Sequence, residues 1–382
     1  MKHIPTLFIG IAIVLGIYSY GFIDPHLSFS SHPFYLFIQN ALVHLVYRQS
    51  VTAAALYVCI IVGLFAAYGM IMQSAKTEKM KYFPRWMIWG IGILLVSYPA
   101  FSYDIYNYIA TAKVTFQYRE NPYVMMPIEI PNEPMLSFTR AANKVALYGP
   151  AWIVLTSFPY IVGAGNMLAT IVSFKTFTAL FYTAVTYLIY RKTKRWDQVM
   201  FFALNPLILI EVLVSGHNDI VMMALGLAGL LLWNRQGMQY KAAGTILFIS
   251  SVLIKGATIA LVPLLFFSGW KWEKKMLVAG ALMFGVFLLS PLREEMYPWY
   301  AVWWLSCIAF VPIRKHSFIH WFSFWLSFGL ILRYVPWIAT REYGGITPVT
   351  RIIVTTVPVL IYVFIRFRKK IVRPFTLLKK YL

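Results

Sequence analysis

Apolar residues run along this chain in long blocks divided by short basic stretches. The blocks are Pro5–Ile23, Val51–Met72, Met87–Phe101, Met167–Tyr190, Met200–Val214, Ile220–Trp233, Ala242–Phe267, Met276–Pro291, Trp299–Pro312, Phe318–Leu332 and Val349–Ile365. Blocks of this length with few charges predict membrane-spanning helices. The basic stretches are Lys76–Arg85, Arg191–Arg195, Arg235–Lys241, Lys271–Lys275, Arg314–Lys315 and the tail 366–382. The positive-inside rule places them in the cytoplasm. Two of these stretches flank Ala242–Phe267, so that block must cross an even number of times. It therefore predicts a hairpin of two short helices with Lys255 at the tip, and about twelve crossings in all with both termini inside. Each arm, roughly 12 residues or 18 Å of helix, is shorter than the hydrocarbon layer of about 30 Å, so the tip is expected to lie sunken. The short pair Met200–Val214 and Ile220–Trp233 turns at Gly216-His217-Asn218-Asp219 on the same side. Two recessed polar tips predict a water-filled cavity between them.

The longest piece outside the blocks is 102–166, an expected outer loop. Pro122, Pro127, Pro131 and Pro134 break its middle, and Ile105–Phe116 and Ser137–Leu147 are expected as short amphipathic helices. Ala151–Gly163 is expected as an interfacial or re-entrant helix anchored by Trp152. The whole chain reads as a single all-α, polytopic integral membrane domain with a basic cytoplasmic tail. No internal repeat is evident. The apolar block at the amino terminus has no A-x-A-like cleavage site and is expected to remain as the first span.

Composition sharpens this picture. Hydrophobic residues make up 60% of the 382, and charged residues only 12%, which excludes a disordered chain and argues against a soluble enzyme. The net charge of +21 follows from the cytoplasmic clusters and gives no reason to expect nucleic acid as a partner. Of the 13 acids only Glu78 and Glu273 fall in those cytoplasmic stretches, with Asp197 two residues beyond Arg195 in the same connection. Cys59 and Cys307 both lie in apolar blocks and are expected to pack there, with neither a disulfide nor a cysteine metal site.

Several polar residues sit where this architecture makes them costly or accessible. Asp104 follows a span directly. It fits both an N-cap, whose carboxylate accepts orphan backbone N–H groups, and a general base at a cavity mouth. Glu211, His217, Asn218 and Asp219 surround the second tip, where capping and the holding of sugar hydroxyls use the same donors and acceptors. One His and one Asp without a second His at helical spacing make a weak metal signal, so no residue is assigned as a metal ligand and no cofactor is expected, while the sequence does not decide whether the protein requires a metal. Lys255, a charge at membrane depth, calls for an anion. Arg293, Arg341 and Arg351 lie on the outer side against the basic bias. Either they clamp a lipid phosphate with Lys255, or they pair with Glu294, Glu295 or Glu342. Trp299 and Tyr300, in Tyr297-Pro298-Trp299-Tyr300, read as an interface belt or as a stacking surface for a sugar or prenyl chain. Lys175, inside a span, has no evident partner.

Taken in order, Tyr103-Asp104-x-Tyr106-x-Tyr108, Tyr148-Gly149-Pro150-x-Trp152, Asn205-Pro206-Leu207 through Glu211 to Gly216-His217-Asn218-Asp219, Lys255, and Pro298-Trp299-Tyr300 resemble the motifs of GT-C superfamily glycosyltransferases that use polyprenol-phosphate sugars. The similarity is greatest to bacterial polyprenol-phosphate-mannose mannosyltransferases. It implies an all-helical membrane enzyme that moves a hexose, mannose by this likeness, from a polyprenyl-phosphate donor to a glycan or glycolipid acceptor at the outer face. Asp104 matches the aspartate of the first large outer loop. Tyr103 and Tyr148 join Glu211, His217, Asn218, Asp219, Trp299 and Tyr300 as expected sugar or acceptor contacts. If the donor is the usual β-linked phosphosugar, direct displacement gives an α-linkage. A lipid-linked donor needs no nucleotide-binding domain, and no Walker-type or G-x-G-x-x-G loop follows a strand here. A flippase or secondary transporter is the competing class, but it requires neither so long an outer loop nor the acid at its start.

Overall fold

The computed structural model describes residues 4–24, 31–77, 85–292 and 295–378, so Arg293, one of the expected phosphate ligands, lies outside the described residues, as do Lys2 and most of Lys76–Arg85. Among the described residues the chain is all helical, without a strand. It runs through α1 (Ile4–Tyr20), α2 (Pro33–Val46), α3 (Ser50–Thr77), α4 (Arg85–Leu95) and α5 (Asp104–Ala112) to α6 (Pro150–Val162) and α7 (Met167–Thr193). Then follow α8 (Trp196–Ala203), α9 (Pro206–Ile208), α10 (Asp219–Trp233), α11 (Met238–Ile254) and a 3-10 helix over Gly256–Leu265. The remainder is α12 (Trp272–Leu289), α13 (Ala301–Ile308), α14 (Ser317–Leu332), α15 (Tyr334–Thr340) and α16 (Thr347–Leu378).

Five helical stretches are long and apolar enough to cross a membrane: Ser50–Ser74, Met167–Thr193, Trp272–Leu292, Ser317–Thr340 and Thr347–Arg368. A sixth exists if α8 and the segment Pro206–Val214, bent by 48°, are taken as one span. The other apolar helices have 10–17 residues, and α13 is a fully buried helix of eight, about 12 Å long. Large apolar side chains such as Ile352, Leu360 and Phe364 on α16 point outward, the arrangement expected where lipid replaces water. The chain is a membrane protein.

The innermost layer is α8, α9, α10 and α13, whose side chains are almost all buried. The break between α8 and α9 has a local cause. Pro206 has no N–H to continue the ladder, and Asn205 caps the new helix by accepting from the Leu207 N–H at 3.0 Å. The carbonyls freed by the break are taken by tyrosines: Tyr68 donates to Phe201 O and Tyr182 to Ala203 O, both at 2.7 Å. Beyond α9 the chain relaxes into a π turn over Leu209–Val214, which carries Glu211.

The hairpin expected at Ala242–Phe267 is present. α11 and the 3-10 helix meet at Lys255, whose backbone is extended, and Trp233 Nε1 donates to Leu265 O at 2.9 Å at the opposite end of α10. Close packing of α10 on α11 depends on Gly229 and Gly244, where an added Cβ on either would come within 2.9 Å of backbone on the other.

Three expectations are corrected and one helix is new. Ile105–Phe116 is helical as α5 and a π turn over Lys113–Gln117, but Ser137–Leu147 is not a helix beyond a 3-10 turn ending at Ser137. Its backbone bonds instead to the proline-rich stretch, with Ile128 N donating to Ala142 O and Ala146 N to Pro122 O. Trp152 is no interface anchor: it is buried on α6 in edge contact with Tyr108, ring centroids 5.0 Å apart. Helix α2 was not foreseen, because its polar residues interrupt the apolar pattern. Cys307 packs inside, whereas Cys59 faces outward from α3.

Candidate active site

One large cavity, about 540 Å³, opens where the segments around Asp104 and Tyr148 meet the hairpin tip and the start of α16. Asp104 stands in its wall on the first turn of α5, and its carboxylate is 25% exposed. The Asp104 N–H donates to Ser102 Oγ at 3.1 Å, so the serine hydroxyl caps that N–H.

Behind Asp104 lies a buried chain of polar groups. His217 Nε2 is 3.8 Å from Asp104 Oδ2 and 3.1 Å from Ser102 Oγ. Its Nδ1 donates to the Glu211 carbonyl at 2.9 Å and lies 3.1 Å from the Glu211 carboxylate. Glu211 Oε1 in turn accepts from the Tyr334 hydroxyl at 2.9 Å. Complete burial of His217 opposes the imidazolium. The hydrogen bond and charge of Glu211, with the charges of Asp104 and Asp219, outweigh that opposition and raise its pKa above the ordinary value. The imidazole also stacks on Trp299, centroids 4.2 Å apart, and Trp299 stacks on Tyr297 at 4.4 Å.

The expected residues of the second tip thus lie behind the cavity. Glu211, His217, Asn218 and Asp219 are all fully buried, and none lines it. The expectation that they touch sugar hydroxyls is corrected to that extent: π-turn and loop geometry turn them inward, where the side chains of Glu211, His217 and Asp219 meet other protein groups. The Asn218 side-chain amide has no hydrogen-bond partner among the described residues, while its backbone N–H donates to the Tyr108 hydroxyl at 3.3 Å. Tyr103, Tyr148, Trp299 and Tyr300 line the cavity.

Lys255 lines it too, but its anion is already present. Both oxygens of Asp219 lie 3.0 Å from Nζ, and Trp303 Nε1 donates to Asp219 Oδ1 at 2.6 Å. The ammonium also sits 4.8 Å from the centre of the Tyr300 ring. The tip is held by an unusually close backbone approach. Gly149 N donates to Ile254 O at 3.2 Å, and a Cβ on Gly149 would fall 2.0 Å from Leu253 O.

The arginines expected at a phosphate divide. Arg351 lines the cavity and binds Glu295 Oε1 at 2.9 Å. Arg341 does not reach it: its guanidinium donates to Val46 O at 2.8 Å and lies among the rings of Phe22, Tyr47 and Trp337. The expectation that it binds phosphate is corrected, because Arg341 takes a left-handed backbone at the end of α15 that turns it toward α2. Three cavity cations escaped the sequence reading. Arg333 binds Glu295 Oε1 at 2.7 Å, Arg140 lies 4.7 Å over the Tyr103 ring, and Lys144 stands beside it. Arg333 was hidden at the end of an apolar block, and Arg140 and Lys144 in a segment expected as a helix. With Lys255 and Arg351 they give the wall five cations against the two acids Asp104 and Glu295, a field that concentrates anions.

Lys175, unexplained by the sequence, is buried in α7 and donates to Leu94 O at 3.1 Å, to Ser97 O and to Ser97 Oγ at 3.3 Å. It satisfies carbonyls at the end of α4, just before the segment that carries Asp104.

Residues 8–273 match the family model described as the alpha-(1->6)-mannopyranosyltransferase N-terminal domain. A protein of Mycobacterium tuberculosis (strain ATCC 25618 / H37Rv) named alpha-(1->6)-mannopyranosyltransferase A is 30% identical over 201 residues, covering 50% of this chain and 36% of the relative. The aligned part is thus about a third of that protein's length. No solved structure is similar to the chain.

Proposed function

The chain belongs to the alpha-(1->6)-mannopyranosyltransferase family, and from that premise we propose that it transfers a mannosyl residue from a polyprenyl-phosphate donor to a hydroxyl of a glycan or glycolipid acceptor. The observation that carries this reading is a cavity in which Asp104, backed by His217, stands in a wall of five cations. Asp104 takes the acceptor proton as its oxygen attacks the anomeric carbon. His217, held by Glu211 and Tyr334, orients the carboxylate. The bond from that carbon to the phosphate oxygen breaks, its electron pair remains on the phosphate, and Lys255 and Arg351 stabilise the charge that develops there. With a β-linked donor, attack from the opposite face inverts the centre and gives an α-linkage. Tyr103, Tyr148, Trp299 and Tyr300 supply the aromatic wall for the sugar. No step calls on a metal.

The basic segments support an orientation with both termini in the cytoplasm, the cavity on the opposite face, and the shorter helices contributing to about twelve crossings. Purified protein incubated with radiolabelled polyprenyl-phosphate sugars and a cell-envelope glycan extract tests the reaction. Acceptor-linked label from the mannosyl donor is expected. Label with Arg341→Met but not with Lys255→Met locates the reaction at this cavity, while no label from any lipid-linked sugar overturns the proposal.

A further inference from the structure

The contacts of Glu295 are uneven in a way that suggests exchange. Arg333 and Arg351 both bind one oxygen, Oε1, at 2.7 and 2.9 Å. The carboxylate side chain is 38% exposed, whereas the two guanidinium side chains are only 8% and 12% exposed. The arginines also have other supports. Arg333 donates to Thr355 Oγ1 at 3.3 Å, and the Arg351 guanidinium lies 5.4 Å over the Tyr343 ring. The cations are thus the enclosed and doubly supported partners, and the anion between them is the exposed one, standing in the wall of the cavity.

We propose that Arg333 and Arg351 form a phosphate site that Glu295 occupies between turnovers, and that the return of its carboxylate expels the polyprenyl phosphate product. This rests on the lipid-phosphate donor proposed above. Two arginine forks meeting on one carboxylate oxygen leave most of their donors free for a group with three oxygens. Transfer also changes the charge of the ligand. The donor is a phosphodiester with one negative charge. Breaking its bond to the sugar leaves the electron pair on a phosphomonoester that approaches two charges near neutral pH, where the second pKa of such an ester is about 6. The acceptor proton has gone to Asp104, and no other reactant enters. A wall that holds the donor therefore holds the product more tightly, and the next turnover waits on release. A tethered carboxylate that competes for the same two cations opposes the product without being consumed.

The experiment measures binding of polyprenyl phosphate, and of inorganic phosphate as the headgroup alone, to the whole 382-residue chain in nanodiscs. Parent, Glu295→Gln, Glu295→Asp and Arg333→Met are compared, with multiple-turnover transfer followed in parallel. Glu295→Gln is expected to bind polyprenyl phosphate roughly tenfold more tightly, the scale of one lost competing charge-assisted hydrogen bond, and to show stronger product inhibition. Glu295→Asp should restore release, and Arg333→Met should lose the phosphate. Weaker binding by Glu295→Gln would mean that the carboxylate only positions the arginines, and exchange is then wrong. If no variant binds polyprenyl phosphate while transfer continues, the phosphate lies elsewhere and exchange alone fails. Binding with the expected order but no transfer from any lipid-linked sugar supports exchange and counts against the proposed reaction.

Discussion

Replacing Asp104 by Asn tests the chemistry with little disturbance of structure. The amide keeps the size of the side chain, and the local cap is untouched because the backbone N–H at 104 bonds to Ser102 Oγ. What is lost is a negative charge on the first turn of α5, 3.8 Å from His217 Nε2. A charge in that position at a helix start contributes about 0.3–1 kcal/mol, so the folded state should lose no more than about 1 kcal/mol. Removing a general base costs about 10² to 10⁴ in rate, equivalent to roughly 3–5 kcal/mol of barrier. The two magnitudes differ enough to be separated. Parent and variant would be purified in the same detergent or nanodisc and compared for thermal midpoint, for binding of the lipid-phosphate donor and for transfer of labelled sugar at saturating donor. The expected result is a nearly unchanged midpoint, retained donor binding and transfer reduced at least a hundredfold. Transfer within a few-fold of the parent would refute the role of Asp104 as base and leave it a conformational residue of the α5 start.

His217 has a raised pKa, so its charged form contributes stability that is full below the unfolded value near 6.5 and is lost as pH rises through the folded value. The thermal midpoint of the parent should therefore fall relative to that of His217→Gln across the window above pH 6.5, and parallel pH profiles of the two proteins would contradict this account. Lys175→Met leaves the Leu94 and Ser97 carbonyls without their buried donor and should cost about 2–3 kcal/mol in denaturant unfolding, with transfer lowered as the segment before Asp104 loosens. Gly149→Ala drives a methyl onto the Leu253 carbonyl and should lower both the thermal midpoint and transfer, since the displaced element is the tip that carries Lys255; a silent Gly149→Ala variant would mean that this contact yields at little cost.

Membrane character and the placement of polar residues follow from composition and local order. Long apolar blocks with basic separators leave few alternatives to helices in a bilayer, because every backbone group in lipid must be paired within its own segment. The hairpin at Lys255 was legible for a similar reason: two basic flanks force the chain to return. The helix that was expected at Ser137–Leu147 shows the limit of this reasoning. Its apolar spacing suits a helix, yet its N–H and C=O groups found partners on the stretch around Pro122 and Ile128, and no local pattern encodes that pairing. Contacts between distant segments likewise decided the site. Nothing near position 219 in the sequence announces that Lys255 and Trp303 will converge on it, or that Glu295 will join Arg333 to Arg351. Residue type marked Lys255, Arg351 and Arg341 alike as outer cations that seek an anion. Only packing sent the first two into the cavity and the third to the backbone of Val46, because where a long charged side chain ends depends on which neighbour satisfies it, and that neighbour is chosen by the assembled fold.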